Sequence, residues 1–386
     1  MRQPLPGEPF RVAVPDSALA DLRQRLNLTR WPIEPAGGGW RYGANLDYVR
    51  RLIAQWQTGF DWRAWEARIN RFEQRRIEVD GIRIHTLIEP GSGSNPLPLI
   101  LTHGWPGSFL EFIDLIEPLA HPERFGGSAE DAFTVIVPSL PGYGFSDPPA
   151  APITPREVAA LWHKLAVEKL GLERYVAEGG DWGSAVTSWL ALDHPKGLAA
   201  IHLNMTGLRP WTGEGTPPVT DEEKAWIARI QKHLARETAY QQIQGTKPQT
   251  LAYALTDSPA GLAAWIVEKF HGWTIGGEDR DPPFDQDWLL ANVMLYWVNG
   301  INAANWLYVS IVEGKAGALK AGEKVGVPTG LSLFPRDLLL PPPRSWVERA
   351  YNVAYYRVFE QGGHFPAVEQ GPLLTDEIRR FFRGYR

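Results

Sequence analysis

The stretch Gly179-Gly180-Asp181-Trp182-Gly183 follows a short apolar run, RYVAEGG, and precedes GSAVTSWLAL, which reads as a helix. Small residues crowd one carboxylate at a strand-to-helix turn. Such flanks let the backbone take a strained turn that lifts the central side chain above a sheet. Ser is the usual occupant, yet no G-x-S-x-G occurs in the chain. An Asp, with an ordinary pKa of about 3.9, is already an anion near neutral pH and can attack without a base. The ester formed must then be hydrolysed, and that step needs a base to activate water. The purely structural alternative is an Asp that caps the next helix.

An acid–base pair for that water stands near the C-terminus. His364 lies in EQGGHFPAVEQ, a Gly-rich loop before the last helical segment, and Asp337 lies in SLFPRD, just past an apolar run. The order Asp181, Asp337, His364 is nucleophile, acid, base, as in an α/β-hydrolase. The acid would hold the His tautomer and stabilise the imidazolium. Glu348 and Glu360 are the other acids in range, but neither follows a strand end. The segment LILTHGWPGS also follows an apolar strand. A backbone amide from such a loop and the amide after the nucleophile make an oxyanion hole. These are the amides of Trp105 and Trp182, and Trp105, Pro106 and Trp182 are expected to line the pocket. His103 is expected to support this loop from behind.

The elements that must position these residues are legible as patterns. PDSALADLRQRLNLTRWP reads as a helix with Asp16 or Ser17 as cap, followed by helices near 46–57 and in DWRAWEARINRF. Asp80-Gly81 between alternating runs predicts a hairpin. Strands at 97–103, 133–140, 174–180 and 198–204 alternate with helices, one of them at 154–171 with Thr154 as cap and Pro155 in its first turn. This rhythm predicts an α/β fold with a mostly parallel sheet. It stops near residue 206, where helical periodicity takes over with breaks at GEGTPP and GGEDRDPP. A strand returns at 325–335 and a last helix spans about 371–383. The expected organisation is a helical leader (1–78), a first core segment (79–205), an inserted helical lid (206–320) and a second core segment (321–386).

Composition narrows the function. A formal charge of −5 without long runs of one sign gives no nucleic-acid surface. The chain has no Cys, which excludes disulfides and thiol catalysis. The start, MRQPLPGEPFRVAVPDS, lacks the layout of a signal peptide, and no apolar run approaches the roughly 20 residues of a membrane span. A cytoplasmic protein without a membrane partner is expected. The 17 Trp fit core and lid packing or an aromatic pocket.

DWRAWEARINRF, VDGIRIH, THGWPGS, PGYGFSD, GGDWGS, KPQTLAYAL, SPAGLAAWIVEKF, FPRD and GGHFPAVEQ together resemble the microsomal-type epoxide hydrolases. The resemblance runs from about residue 10 to the C-terminus, and the helical leader makes it specific. It implies an Asp nucleophile at Asp181, a water-activating His364–Asp337 pair, and two lid tyrosines that bind and protonate the epoxide oxygen. ETAYQQIQGTKPQT places the first at Tyr240. NWLYVS places the second at Tyr308, with Tyr296 of the LYW segment as the alternative. The implied reaction opens a small-molecule epoxide with water to a vicinal diol, without metal or cofactor, in a monomer or homodimer. A cis Trp105–Pro106 bond is also expected. The rival readings are a haloalkane dehalogenase, which shares the elbow Asp followed by Trp, and a non-catalytic binding module. A serine esterase is disfavoured by the missing elbow Ser.

Overall fold

Asp80 and Gly81 both have positive φ, 51° and 81°, the backbone of a tight hairpin turn between strands β2 (Glu73–Val79) and β3 (Ile82–Glu89). The hairpin forms one flank of a nine-stranded sheet. The other strands are β1 (Glu8–Pro9), β4 (Leu97–Thr102), β5 (Phe133–Pro138), β6 (Tyr175–Gly179), β7 (Leu198–Leu203), β8 (Val325–Leu333) and β9 (Tyr351–Val358), in spatial order β1-β2-β3-β5-β4-β6-β7-β8-β9. From β5 to β9 all neighbours are parallel, whereas β1, β2, β3 and β5 pair antiparallel. The computed structural model describes residues 5–274 and 280–386. The GGEDRDPP break lies partly outside the described residues.

The central strands are buried on both faces, so they read as continuous apolar runs such as LPLILT and FTVIVP. Thr102, Gly179 and Leu203 are neighbours in register at the carboxyl ends of β4, β6 and β7. Loops leaving one edge of a parallel sheet converge on a crevice, which is where such sheets bind ligands. Helix Pro155–His163 starts with the expected Thr154 cap, completed by Glu157 into a capping box. The chain then continues into a π-helical turn, Lys164–Lys169, before β6.

Three features differ from the sequence expectation. The first helix starts at Asp16 itself, behind Pro15, and has no side-chain cap; Asp16 instead accepts a hydrogen bond from Arg63. Strand β9 and the helix Arg344–Ala350 before it had no assignment. That helix begins behind Pro343 without a capping side chain, and β9 is largely polar or partly exposed, so neither shows the usual signal.

Between β7 and β8 the chain forms helices Asp221–Glu237, Ala239–Thr246, Pro248–Asp257, Pro259–Gly272 and Gln286–Asn299, followed by short turns to Val312. The N-terminal helices reach this block. Arg25 hydrogen bonds Asp257 at 2.6 Å, Gln55 hydrogen bonds Asp287 at 2.8 Å, and Trp40 stacks on His271 at 4.0 Å. Among the described residues, no helix is long and apolar enough to cross a membrane.

One buried ion pair ties the inserted block to the second core segment. Thr220 and Glu223 form a capping box, and the same Glu223 carboxylate takes a two-pronged contact from Arg349, at 2.9 Å on each oxygen. The Glu223 side chain has no exposed surface and that of Arg349 is 11% exposed. The Arg349 contact lowers the Glu223 pKa to about 2, against the opposing effect of burial. A depressed carboxyl stabilises the fold above its unfolded pKa, about 4.3, and loses that contribution as pH falls toward 2. Glu223→Gln leaves Arg349 without its counter-charge and is expected to cost about 3–5 kcal/mol in urea denaturation at neutral pH. Between pH 4.5 and 2 the wild type should lose stability more steeply than the variant.

Candidate active site

Asp181 is the junction between β6 and helix Trp182–Asp193, with φ 48° and ψ −126°. A non-glycine residue in such backbone costs on the order of 1–3 kcal/mol. The neighbours show why only small residues surround it. A Cβ on Gly183 would lie 1.9 Å from the Thr102 carbonyl oxygen, and one on Gly180 would lie 2.3 Å from Asn204 Oδ1. A Cβ on Gly104 would lie 2.2 Å from Asp181 Oδ1 itself. Asp181 makes no side-chain cap to the helix it precedes, so the capping reading of this acid fails.

The carboxylate is held from two sides. The Trp105 N–H donates to Oδ1 at 2.8 Å, and His364 Nε2 stands 3.3 Å from Oδ2. That second contact lacks hydrogen-bond alignment, and among the described residues Nε2 has no hydrogen-bond partner. His364 Nδ1 donates to Asp337 Oδ1 at 2.6 Å. The side chains of His364 and Asp337 are 1% and 4% exposed, and that of Asp181 is 14% exposed. Burial opposes charge on His364, but Asp337 and Asp181 outweigh it and raise the pKa well above the ordinary value.

Local contacts fix the base. The Arg336 N–H donates to the Gly362 carbonyl, which joins the Asp337 and His364 loops. The Gly363 and Phe365 amides both donate to Glu369 Oε1, and the His364 amide donates to the Trp273 carbonyl at 2.8 Å. Of the rival acids, Glu348 pairs with Arg344 at the surface and Glu360 is exposed.

The Trp105–Pro106 bond is cis. Behind it, His103 donates from Nδ1 to the Gly104 carbonyl and accepts the Leu140 N–H at Nε2. Burial lowers the His103 pKa to about 4, so this ring is a neutral brace. The Trp182 amide opens its helix, where an N–H has no partner within the helix.

A cavity of about 220 Å³ lies over Asp181. Trp182, Met205, Ile311, Leu338 and Leu339 supply apolar walls, and Tyr240, Gln241 and Tyr308 supply polar atoms. The Tyr240 ring stacks on Trp105 at 4.9 Å, and Tyr308 meets Trp182 edge-on at 5.0 Å. The two phenol rings are 5.5 Å apart. Burial raises both phenol pKa values and Asp181 adds to the rise, so both hydroxyls keep their protons. Tyr296 is elsewhere: its hydroxyl donates to the Gly107 carbonyl at 2.6 Å and does not line the cavity. Pro106 is not among the lining residues either; it and Trp105 underlie the site.

The sequence reading missed Glu111, in the short turn Phe109–Phe112 after the Trp105 loop. Its carboxyl curls under that loop, so that a Cβ on Gly107 would meet its Oε1. Burial pushes its pKa up to about 8; the His364 charge opposes the rise and the Asp181 charge adds to it. An acid within ten residues of a strand-end HG turn was the available signal.

Comparison with known proteins now bears on this geometry. The family model "Epoxide hydrolase N terminus" matches residues 7–112, and the model "alpha/beta hydrolase fold" matches residues 98–249. Epoxide hydrolase 1 of Sus scrofa is 34% identical over 402 residues, covering 97% of this chain and 88% of that protein. The chain belongs to the epoxide hydrolases. The solved Aspergillus niger epoxide hydrolase matches with a TM-score of 0.85 at 31% identity, over 99% of this chain and 97% of that one. Juvenile hormone epoxide hydrolase from Bombyx mori also matches with a TM-score of 0.85, at 27% identity over 98% of this chain and 94% of that one. The α/β-hydrolase fold expected from the strand–helix rhythm is thereby shown. Family membership sets aside the dehalogenase and the non-catalytic module.

Proposed function

We propose that this epoxide hydrolase works through a covalent ester on Asp181, which water activated by His364 then hydrolyses. One observation carries the reading: Asp181 is bracketed by a backbone donor on Oδ1 and an imidazole nitrogen 3.3 Å from Oδ2, beneath two buried phenols. The apolar walls fit a small epoxide with a non-polar substituent.

An epoxide carbon becomes electrophilic once its oxygen accepts a proton or hydrogen bond. Tyr240 and Tyr308 supply those donors from the cavity side. Asp181 attacks the carbon, the C–O bond of the ring breaks, and a phenol proton passes to the oxygen. Alkylation removes the Asp181 charge, one of the two that favour imidazolium at His364, so the ring gives up its proton more readily in the ester, and that proton restores the phenol. Neutral His364 then takes a proton from water, and the hydroxide adds to the Asp181 carbonyl. The Trp105 and Trp182 amides hold the oxyanion until the C–O bond to the diol breaks, and the departing alkoxide takes the hydroxyl proton of the Asp181 acid, which returns to the carboxylate. Asp337 steadies the imidazolium.

Two outcomes test these roles. His364→Gln should still form the ester, because Asp181 needs no base, and should stall there. Intact-protein mass spectrometry after mixing with styrene oxide should show one stable adduct on the peptide containing Asp181; wild-type turnover in this variant would contradict the assignment. For the tyrosines, either Phe substitution should slow ester formation. A lost donor to developing charge is worth about 2.7–4 kcal/mol at a preorganised site, or roughly a hundred- to a thousandfold, less what the partner phenol compensates. The double variant should form no measurable ester while keeping its thermal stability, whereas Tyr296→Phe should leave the ester-formation rate within about threefold of wild type.

A further inference from the structure

Among the described residues, Lys269 is the only Lys or Arg in the buried class. It lies on the lid helix Pro259–Gly272, and its ammonium sits 4.6 Å from the centre of the Tyr240 ring and 5.8 Å from that of Trp273. Trp105 stacks on Tyr240 with an interplanar angle of 12°, so the cation takes the other face of the phenol. Among the described residues Glu268 is the carboxylate paired with it and stands nearer solvent: their side chains are 29% and 9% exposed. Burying an ammonium is unfavourable unless its surroundings compensate. The compensation here comes from the Glu268 carboxylate on one side and, on the other, from the aromatic face of Tyr240, a residue that lines the active-site cavity.

Resting on the ester mechanism proposed above, we infer that Lys269 is a positioning residue that speeds ring opening by stabilising phenoxide character on Tyr240. A cation over a ring is attracted by its π electrons, and the attraction grows as the ring becomes electron-rich. When Tyr240 passes its proton to the epoxide oxygen, negative charge builds on the phenol. The ammonium therefore binds the transition state more strongly than the ground state, and only such a difference raises the rate. The proton that moves is that of the Tyr240 hydroxyl. The second step, hydrolysis of the ester, uses His364 and gains nothing from this contact.

That division separates the proposal from a packing role. Trp273 contacts both Tyr240 and Lys269, and its carbonyl holds the His364 amide. Loss of packing at Lys269 would spread through Trp273 to His364 and slow both steps. Lys269→Met keeps an unbranched chain, one atom shorter, and removes the charge. Rapid-quench mass spectrometry with styrene oxide measures formation and decay of the Asp181 adduct separately. Ester formation should slow by roughly 2- to 30-fold, with ester hydrolysis unchanged, and Lys269→Arg should restore most of the rate. In a Tyr240→Phe background, Lys269→Met should have no further effect on ester formation. Unchanged ester formation, equal losses in both steps, or the same loss in the Tyr240→Phe background would each overturn the proposal. If Lys269→Met does not fold, as judged by far-UV circular dichroism, Lys269→Gln is read by the same criteria. A wild-type protein that turns over without any adduct would overturn the ester mechanism, and this inference with it. An adduct whose rate ignores Lys269 would overturn the inference alone.

Discussion

The strained backbone at Asp181 is the constraint on which the rest of the site depends. At φ 48° and ψ −126° the chain turns sharply enough to end β6 and start a helix within two residues. Four glycines make that possible by close approach: Gly179 and Gly183 to each other across the turn, Gly183 to the end of β4, Gly180 to Asn204, and Gly104 to the carboxylate itself. The strain is held by a helix buried from Trp182 to Ala191 and by strands paired on both sides of β6. Its product is a carboxylate that faces a cavity and not the amides of its own helix.

Everything else addresses one of that carboxylate's two oxygens or the space above it. The loop after β4 brings a backbone donor to Oδ1. The loop after β9, joined to the one after β8, brings imidazole to Oδ2. These loops leave the carboxyl ends of parallel strands, so the sheet aims them at one point. The helices between β7 and β8 contribute from above, with Tyr240 and Tyr308 packed against the indoles of Trp105 and Trp182. The indoles next to the nucleophile thus orient the phenols that face it. The Glu223–Arg349 pair fastens the helices between β7 and β8 to the helix before β9, and Arg25–Asp257 links them to the N-terminal helices.

Features set by local chemistry were legible in the sequence. Asp80-Gly81 announced its hairpin, Thr154 its capping box, and the apolar runs their buried strands. The elbow and the order of Asp181, Asp337 and His364 could be read because each lies in a turn next to a strand or helix end. Features set by tertiary packing were not legible. Tyr296 and Tyr308 look alike on paper, but one phenol is spent on the Gly107 carbonyl and the other opens on the cavity. Glu111 and Lys269 are ordinary charged residues until the fold buries them, one beneath the Trp105 loop and one over a phenol. Asp16 looked like a cap until Arg63 claimed it.

The central claim, a covalent ester on Asp181, is tested most directly by a single turnover in ¹⁸O-water with enzyme in excess over styrene oxide. If Asp181 attacks the epoxide, the oxygen added to the first diol comes from the carboxylate. That diol is then unlabelled, and the peptide containing Asp181 gains about 2 Da as water oxygen enters the carboxylate on hydrolysis. If water attacks the epoxide directly, the first diol carries the label and the Asp181 peptide keeps its mass, which would contradict the account.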